Sequence, residues 1–178
     1  MTCPINETIR DFLTGKEFPD SDDEQIRQRL ERLLIEEKGY GRDEVAVGVA
    51  IDLSMDGRVE AAAAHLVIKL GERQGMVIQC ARGSLVTRHR EALSLARLIG
   101  PVVIPFAAVT NGRDAEVLDT ATGSVLAAGL AALPDRVTLM QYLADVPEME
   151  IDEKRRLKEK RILAAFSTLQ CPTECEPG

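Results

Sequence analysis

The sequence predicts an α+β domain in which two helices flank one mixed β-sheet, with an extra helix near the C-terminus. Three observations predict this class: a capped helical segment, three segments in which apolar residues alternate, and a second helical segment that leads into an apolar run. The chain has 178 residues, of which 45% are hydrophobic and 3% aromatic. This length suffices for one hydrophobic core. Because aromatic residues are scarce, aliphatic side chains must fill that core.

The first predicted helix spans residues 21–38. Ser21 and Glu24 form a Ser-x-x-Glu capping box, which marks the start of a helix, and Gly39 stands where a glycine commonly ends one. The apolar residues between these signals recur at helical spacing, at Ile26, Leu30, Leu33 and Leu34. A short amphipathic helix is predicted before it, at residues 6–13.

Strands and a second helix follow. Alternating segments rich in valine, isoleucine and alanine predict three strands, at residues 45–53, 61–70 and 76–80. Turn residues separate these strands at 55–58 and 71–75. A second helix is predicted at 87–99 and a fourth strand at 102–110, in which Pro105 delays pairing because proline donates no backbone hydrogen bond. The predicted order is therefore αβββαβ.

The remaining elements are a hairpin and two further helices. The Asn111-Gly112 pair predicts a hairpin with a partner strand at 115–118. A helix is predicted at 138–144 and a charged helix at 151–169. These patterns divide the chain into an N-terminal segment with a short helix, a main domain, and a charged C-terminal helix with a flexible tail, at residues 1–20, 21–146 and 147–178 respectively.

The overall charge argues against strong nonspecific binding to nucleic acid. The formal net charge is −7 and the isoelectric point is near 5.0, whereas such binding depends on many cationic contacts with phosphates. A local basic cluster nevertheless stands at the start of the second helix, formed by Arg82, Arg88, His89 and Arg90. A helix N-terminus beside arginines can bind an anion, so these four are candidate nucleic-acid-binding residues. A solvated helix face is the alternative interpretation.

Metal and membrane signals are weak. The four cysteines are expected to be free thiols in a cytoplasmic protein. Cys171 and Cys175 have a loose metal-ligand spacing that Cys3 could join, but structural zinc takes four ligands and no fourth is evident. No apolar run approaches the ~20 residues that a membrane helix needs, and the N-terminus lacks the apolar core of a secretory signal. We therefore expect a cytoplasmic protein without a membrane partner.

Several short segments carry a specific family resemblance. They are, in order, Asp11-Phe-Leu-Thr-Gly-Lys16, Ile26-Arg27-Gln28, Leu34-Ile-Glu-Glu-Lys-Gly-Tyr40, Val109-Thr-Asn-Gly-Arg113 and Asp119-Thr-Ala-Thr-Gly123. In content and order they resemble the N-terminal domain of type I restriction enzyme R subunits, a bacterial nuclease domain of the PD-(D/E)XK type. The resemblance covers about residues 11–125 and implies a restriction-endonuclease-like αβββαβ core.

The same resemblance implies a catalytic site from which this chain departs. The family's strand motif reads hydrophobic-hydrophobic-Glu-x-Lys, and its counterpart here places Gln79 at the glutamate and Ala81 at the lysine. The catalytic aspartate of the preceding strand corresponds to His65, and an acid late in the first strand corresponds to Gly48. Only Glu24, on the first helix, remains acidic, and the capping box also explains that residue.

These replacements predict a loss of catalysis. Mg²⁺ binds through oxygen ligands, typically carboxylates, and no anionic ligand stands at the three strand positions. The leading hypothesis is a non-catalytic module without a cofactor that binds nucleic acid or a protein partner. The alternative is an active Mg²⁺-dependent nuclease whose carboxylates have migrated to Glu24, Asp52 and Glu60, with Asp56 nearby. A third hypothesis is partner binding, including homo-oligomer formation, through the charged segment 152–160.

Two further expectations concern burial and position. Because neighbouring residues of a strand point to opposite faces, Cys80 should face away from the site and lie in the core. His65 is expected to be half-buried at a sheet edge. Its side chain should lie close to Gln79 and Ala81 where two strands separate.

Overall fold

The computed structural model describes residues 7–55 and 60–169. Within them lie eight strands: β1 Thr8–Arg10, β2 Glu17–Pro19, β3 Val45–Asp52, β4 Ala61–Leu70, β5 Arg73–Cys80, β6 Phe106–Thr110, β7 Ala115–Asp119 and β8 Val125–Ala128. The same residues contain four α-helices: α1 Asp22–Glu36, α2 Val86–Leu98, α3 Arg136–Asp145 and α4 Glu153–Leu169. None of the helices in this part of the chain is both long enough and apolar enough to cross a lipid bilayer.

Six strands form the central sheet, in the order β3-β4-β5-β6-β7-β8. Neighbouring strands are antiparallel except β5 and β6, which pair in parallel and are joined by helix α2. A parallel pair requires such a crossover because the chain must return to the same end of the sheet. The order α1-β3-β4-β5-α2-β6 confirms the predicted αβββαβ arrangement and its mixed sheet.

Helices cover both faces of the sheet. On one face, α1 and α3 pack on alternate residues of β4 and β5, including Leu66, Ile68 and Ile78. On the other face, α2 and α4 pack around Val77 and Ala107. Both clusters are almost entirely aliphatic, as the small number of aromatic residues predicts.

The predicted signals of helix α1 are found at both of its ends. Ser21 Oγ accepts a hydrogen bond from the backbone N–H of Glu24 at 3.2 Å. Gly39 has a φ of +76°, a conformation that favours glycine. Next to it, Tyr40 donates its backbone N–H to the carbonyl of Leu34 at 3.1 Å, which satisfies one of the last carbonyls of the helix. The predicted helix is confirmed.

The predicted helix at residues 6–13 is wrong. Residue 6 lies outside the described part of the chain, and β1 and β2 form an antiparallel hairpin in which Thr8 is opposite Pro19. The Asp11 carboxylate accepts hydrogen bonds from the backbone N–H and the hydroxyl of Thr14, both at 2.6 Å. Such a local turn competes with helix formation, and Gly15 continues the turn with a φ of +70°.

Two strand starts and one additional strand differ from the prediction for local reasons. β5 begins at Arg73 rather than at residue 76, because Gly71, with a φ of +60°, reverses the chain in a tighter turn. β6 begins at Phe106, directly after Pro105, in line with the delay that proline imposes. β8 was not predicted, since it is a short, mostly exposed strand without clear alternation. The predicted turn at residues 55–58 lies almost entirely outside the described residues.

A buried ion pair fixes helix α4 on α2. Glu159, which is 1% exposed, lies 3.0 Å from the guanidinium of Arg97, which is 3% exposed. Ser94 donates its hydroxyl to the same carboxylate at 2.6 Å, and Arg97 also donates to the carbonyl of Thr120. Leu163, one turn further along α4, fills the apolar core beneath. The charged helix is therefore packed against the sheet layer.

Glu159→Ala is expected to destabilise the protein by about 3 kcal/mol, because removal of one partner of a buried ion pair leaves the Arg97 guanidinium without its counter-charge. Urea unfolding followed by circular dichroism measures this change. Glu153→Ala, at the exposed start of the same helix, should change the free energy of unfolding by less than about 0.5 kcal/mol. Equal effects of the two substitutions would contradict the role given to Glu159.

Candidate functional site

The predicted site positions surround one pocket of about 440 Å³. Gly48 on β3, His65 on β4, Gln79 on β5 and Glu24 on α1 all line it. Alanines at positions 50 and 61–64 form much of the remaining wall. Ala81 does not line it and is 1% exposed in the core beneath α2. The structure therefore brings four of the five positions together.

The pocket forms where β4 and β5 separate. Their backbone pairing ends at Leu66 and Ile78. Beyond that point residues 61–64 remain paired with β3, whereas Gln79 and Cys80 pair with β6. Paired strands lie about 4.8 Å apart, so this separation, which we call the fork, opens a gap in the sheet. The backbone amides that face the gap need other hydrogen-bond partners.

Two side chains close the fork. Gln79 Oε1 accepts a hydrogen bond from the backbone N–H of His65 at 2.8 Å, and His65 Nδ1 accepts one from the backbone N–H of Cys80 at 3.1 Å. Because an accepting nitrogen carries no proton, His65 is the neutral tautomer with its proton on Nε2. Burial lowers the pKa of His65, against an opposing effect of the Glu91 carboxylate. Both side chains therefore satisfy backbone groups of the fork.

The predicted residues at and beside the fork differ in conformation and burial. Gly48 faces His65 from β3, where the paired register passes from Val47 to Val49. Its φ of +63° would strain an acidic residue at this position. His65 is half-buried, as expected, but lies on an interior strand rather than at a sheet edge. Cys80 is 3% exposed in the opposite core, as predicted, and burial raises the pKa of its thiol.

The remaining acid of the predicted site, Glu24, is held by its neighbours on α1. One carboxylate oxygen accepts a hydrogen bond from Arg27 Nε at 3.0 Å, and the other contacts Arg27 Nη2. The second oxygen also accepts from Gln28 Nε2 at 3.2 Å. Both oxygens of Glu24 are therefore bound within the helix.

Arg27 is the centre of a buried ionic cluster with three carboxylates, those of Asp11, Glu24 and Glu31. Its guanidinium is buried, lies 2.7 Å from Asp11 and contacts Glu31. The ring of Phe18 covers it, with the guanidinium carbon 4.8 Å from the ring centroid. Because Asp11 follows β1 and Phe18 lies on β2, this Arg27 cluster attaches the N-terminal hairpin to α1.

Two carboxylates of the Arg27 cluster, those of Glu31 and Asp11, have pKa values shifted in opposite directions. Glu31 is fully buried, and burial raises its pKa to about 7, with Arg27 opposing and Asp11 adding to the shift. Burial also acts to raise the pKa of Asp11, but hydrogen bonds from Thr14 and the charge of Arg27 outweigh it and lower that pKa. Of these two carboxylates, Glu31 is therefore the one that keeps its proton to the higher pH.

The alternative carboxylates Asp52 and Glu60 are not among the residues that line the pocket. Asp52 accepts the backbone N–H of Ser54 at 2.7 Å, and the carbonyl of Glu60 accepts that of Leu53 at 2.8 Å, while Asp56 lies outside the described residues. Within residues 7–55 and 60–169, no group of three or more histidine, cysteine, aspartate or glutamate side chains is arranged to hold a metal ion. The cysteines with metal-ligand spacing also lie outside the described residues: Cys3, Cys171 and Cys175.

Each residue of the predicted basic cluster contacts a carboxylate. Arg82 lies 3.1 Å from Asp22, Arg88 lies 2.8 Å from Glu91, Arg90 lies 3.4 Å from Glu159, and His89 contacts Glu116. Three of these acids belong to other elements of the fold than the second helix. Pairing reduces the net positive charge of this surface, although the side chain of Arg82 remains 67% exposed.

The sequence patterns did not predict the ionic partners around the pocket. Asp11 and Arg27 stand in the segments that carry the family resemblance, but no pairing was predicted for them. A signal existed, because Glu24 and Glu31 precede and follow Arg27 by three and four residues, the spacings of helical ion pairs. Asp11 is followed by Thr14-Gly15, which is typical of a side-chain-capped turn.

Comparison with known proteins gives one match. A sequence model of the family described as type I restriction enzyme R protein N terminus (HSDR_N) matches residues 22–134. This range is more than half of the chain and runs from α1 past β8, so it includes the fork and leaves out α4. No match was found among curated proteins or among solved structures.

Glu31→Gln is expected to flatten the pH dependence of stability between about pH 4.5 and 7. In the wild type, the folded state keeps the Glu31 proton that the unfolded state releases above pH 4.5. The stability that this proton provides is complete below pH 4.5 and is lost as the pH rises through about 7. The difference should amount to about 1–3 kcal/mol, and urea unfolding at a series of pH values measures it.

The difference between wild type and variant is the quantity to compare. His65, whose folded-state pKa is lowered, contributes stability that is lost as the pH falls, but it titrates in both proteins and cancels. Parallel pH profiles of the two proteins would contradict the assignment of the proton to Glu31.

Proposed function

Because the chain belongs to the family of type I restriction enzyme R protein N termini, we propose that it is a non-catalytic member that acts as a binding module for nucleic acid or for a protein partner. The family resemblance implies phosphodiester hydrolysis that depends on Mg²⁺, an ion that binds carboxylate and other oxygen ligands. The proposal turns on whether the side chains at the fork can supply such ligands.

The observation that carries the proposal is the reciprocal bonding of His65 and Gln79. Their hydrogen bonds of 2.8 and 3.1 Å to opposite strands occupy the groups that a ligand or a general base would use. Giving up either bond would leave a backbone amide unsatisfied, at a cost of about 1–3 kcal/mol. Gln79 is also only 2% exposed. The fork is therefore best explained as a structural element.

The groups around the pocket do not fit Mg²⁺. The carboxylate of Glu24 is held by the guanidinium of Arg27. Glu91, the other carboxylate that lines the pocket, accepts a hydrogen bond from Arg88 at 2.8 Å. The fork itself offers no charged oxygen, and the lysine position is the buried Ala81. Mg²⁺ demands a nearly ideal octahedron of oxygen ligands, so no step of hydrolysis is assigned to these residues.

The alternative, an active nuclease with migrated carboxylates, requires Glu24, Asp52 and Glu60 to meet near Gln79. Glu24 and Gln79 do line the same pocket. Asp52 and Glu60 do not line that pocket; Asp52 stands four residues from Gly48 and Glu60 five residues from His65, which corresponds to about 13 and 17 Å of extended chain. This separation favours the non-catalytic interpretation.

The purified full chain is expected to cleave neither single- nor double-stranded DNA in the presence of Mg²⁺ or Mn²⁺. The reason is that the pocket presents no set of free carboxylates that could hold a hard dication. Gel analysis of end-labelled DNA measures cleavage, with a preparation from cells carrying the empty vector as the background. Titration with Mn²⁺ followed by electron paramagnetic resonance should show no bound ion.

Four variants identify the source of any cleavage. Activity that disappears in Asp52→Ala or Glu60→Ala but survives Gln79→Ala would support the migrated site. Activity that disappears in Glu24→Ala and Gln79→Ala would assign catalysis to the pocket. Both outcomes would refute the non-catalytic proposal, and Glu153→Ala, a change at an exposed position far along the chain, is the matched control.

A further inference from the structure

A second surface, between α2 and α4, concentrates positive charge on an otherwise acidic protein. It is a groove of about 560 Å³ whose lining includes five cationic side chains, those of Arg90, Lys154, Arg155, Lys158 and Arg161. The whole chain carries a net charge of −7. Such a local reversal of sign attracts anionic partners even when the molecule as a whole is negative. Four of the five cations lie on α4, outside the family match.

The two carboxylates that line this groove already take part in contacts that stabilise α4. Asp152 accepts the backbone N–H of Arg155 at 2.7 Å and so caps the start of α4. Glu159 is 1% exposed, and three guanidiniums share its single carboxylate: Arg97 at 3.0 Å, Arg90 at 3.4 Å and Arg155 at 3.7 Å. The lining as a whole has five cationic side chains against two carboxylates, those of Asp152 and Glu159. The groove therefore keeps an excess of positive charge.

Three cations of α4 are available to a partner. Lys154, Lys158 and Arg161 are exposed, and within the described residues their side chains have no hydrogen-bond or ion-pair partner. Their spacing of four and three residues places them on one face of the helix, over about 10 Å along its axis. Along the axis of duplex DNA, the phosphates of one strand recur about every 3.4 Å. A row of cations that lies along this axis over about 10 Å therefore matches roughly three phosphates.

We infer that this groove binds the phosphate backbone of duplex nucleic acid. The inference rests on the proposed role as a binding module, but it concerns a surface apart from the fork. Binding of single strands commonly relies on aromatic stacking, and none of the groove residues is aromatic. An interfacial membrane helix inserts its apolar face into the lipid, whereas α4 buries Leu163 against the sheet and exposes only Leu157 in the groove.

Fluorescence anisotropy of a short labelled duplex DNA, titrated with the full chain at roughly 50–200 mM salt, tests the inference. The variant Lys154→Gln/Lys158→Gln/Arg161→Gln should weaken binding at least about tenfold at the lower salt concentration. It should also reduce the slope of log affinity against log salt by about two to three, because each lost phosphate contact contributes about 0.9. The three positions are exposed, so the fold should be retained.

The control variant Lys16→Gln/Arg29→Gln/Arg113→Gln removes the same charge from exposed positions elsewhere and should bind within about twofold of the wild type. Absence of binding by the wild type, or equal losses in the two variants, would overturn the inference. Binding to phosphatidylserine vesicles or to polyglutamate, but not to DNA, would also overturn it. DNA cleavage in these samples would instead refute the proposed non-catalytic function, so the two failures are distinguishable.

Discussion

The separation of β4 from β5 is the constraint on which the rest of the structure depends. Once these strands part, two backbone amides inside the sheet lose their regular partners, and buried amides must be satisfied. His65 and Gln79 supply the missing acceptors. The same separation lets β3 hold the first half of β4 while β6 holds the end of β5. It also opens the pocket into which α1 and α2 project their acids. In the family that the chain belongs to, the resemblance places ligands at these positions, whereas here they serve the sheet.

Two buried arginines position the helical layers around this sheet. Arg27 ties the N-terminal hairpin to α1 on one face, and Arg97 ties α4 to α2 on the other through Glu159. Buried ion pairs contribute little net stability compared with apolar packing, but loss of one partner is costly. Here these ion pairs determine which surfaces of the hairpin and the helices pack against each other. The Arg27 cluster also binds both carboxylate oxygens of Glu24 at the pocket, and the shared use of Glu159 leaves the α4 groove positively charged.

Much of the fold was readable from the sequence because its signals are local. Ser21 and Gly39 define α1, and alternation defines β3 and β4, whose partners follow from short turns. The N-terminal hairpin was misread because Asp11 bonds Thr14 and pairs with Arg27, sixteen residues later in the chain. The amphipathic spacing of residues 6–13 does not predict that ion pair.

The site was harder to predict because its chemistry depends on long-range contacts. The family resemblance located Gly48, His65, Gln79 and Glu24 at one pocket, but Ala81 does not line it. The sequence showed no carboxylate partners for the basic cluster at the start of α2. In the structure, Arg90 contacts Glu159 and His89 contacts Glu116. The sequence predicts only that the cations of α4 belong to a charged segment. Which of them lack a carboxylate partner depends on the contacts of Glu159, and these are long-range.

The central claim is that His65 and Gln79 close the fork and do not bind a metal ion. Nitrogen-15 NMR of the His65 ring tests it most directly, because the chemical shifts of the two ring nitrogens report which one carries the proton. The account predicts a neutral ring at neutral pH, protonated at Nε2 with Nδ1 as an acceptor, and signals that do not change when excess MgCl₂ is added. A ring protonated at Nδ1, a charged imidazolium, or a shift that depends on Mg²⁺ would contradict it.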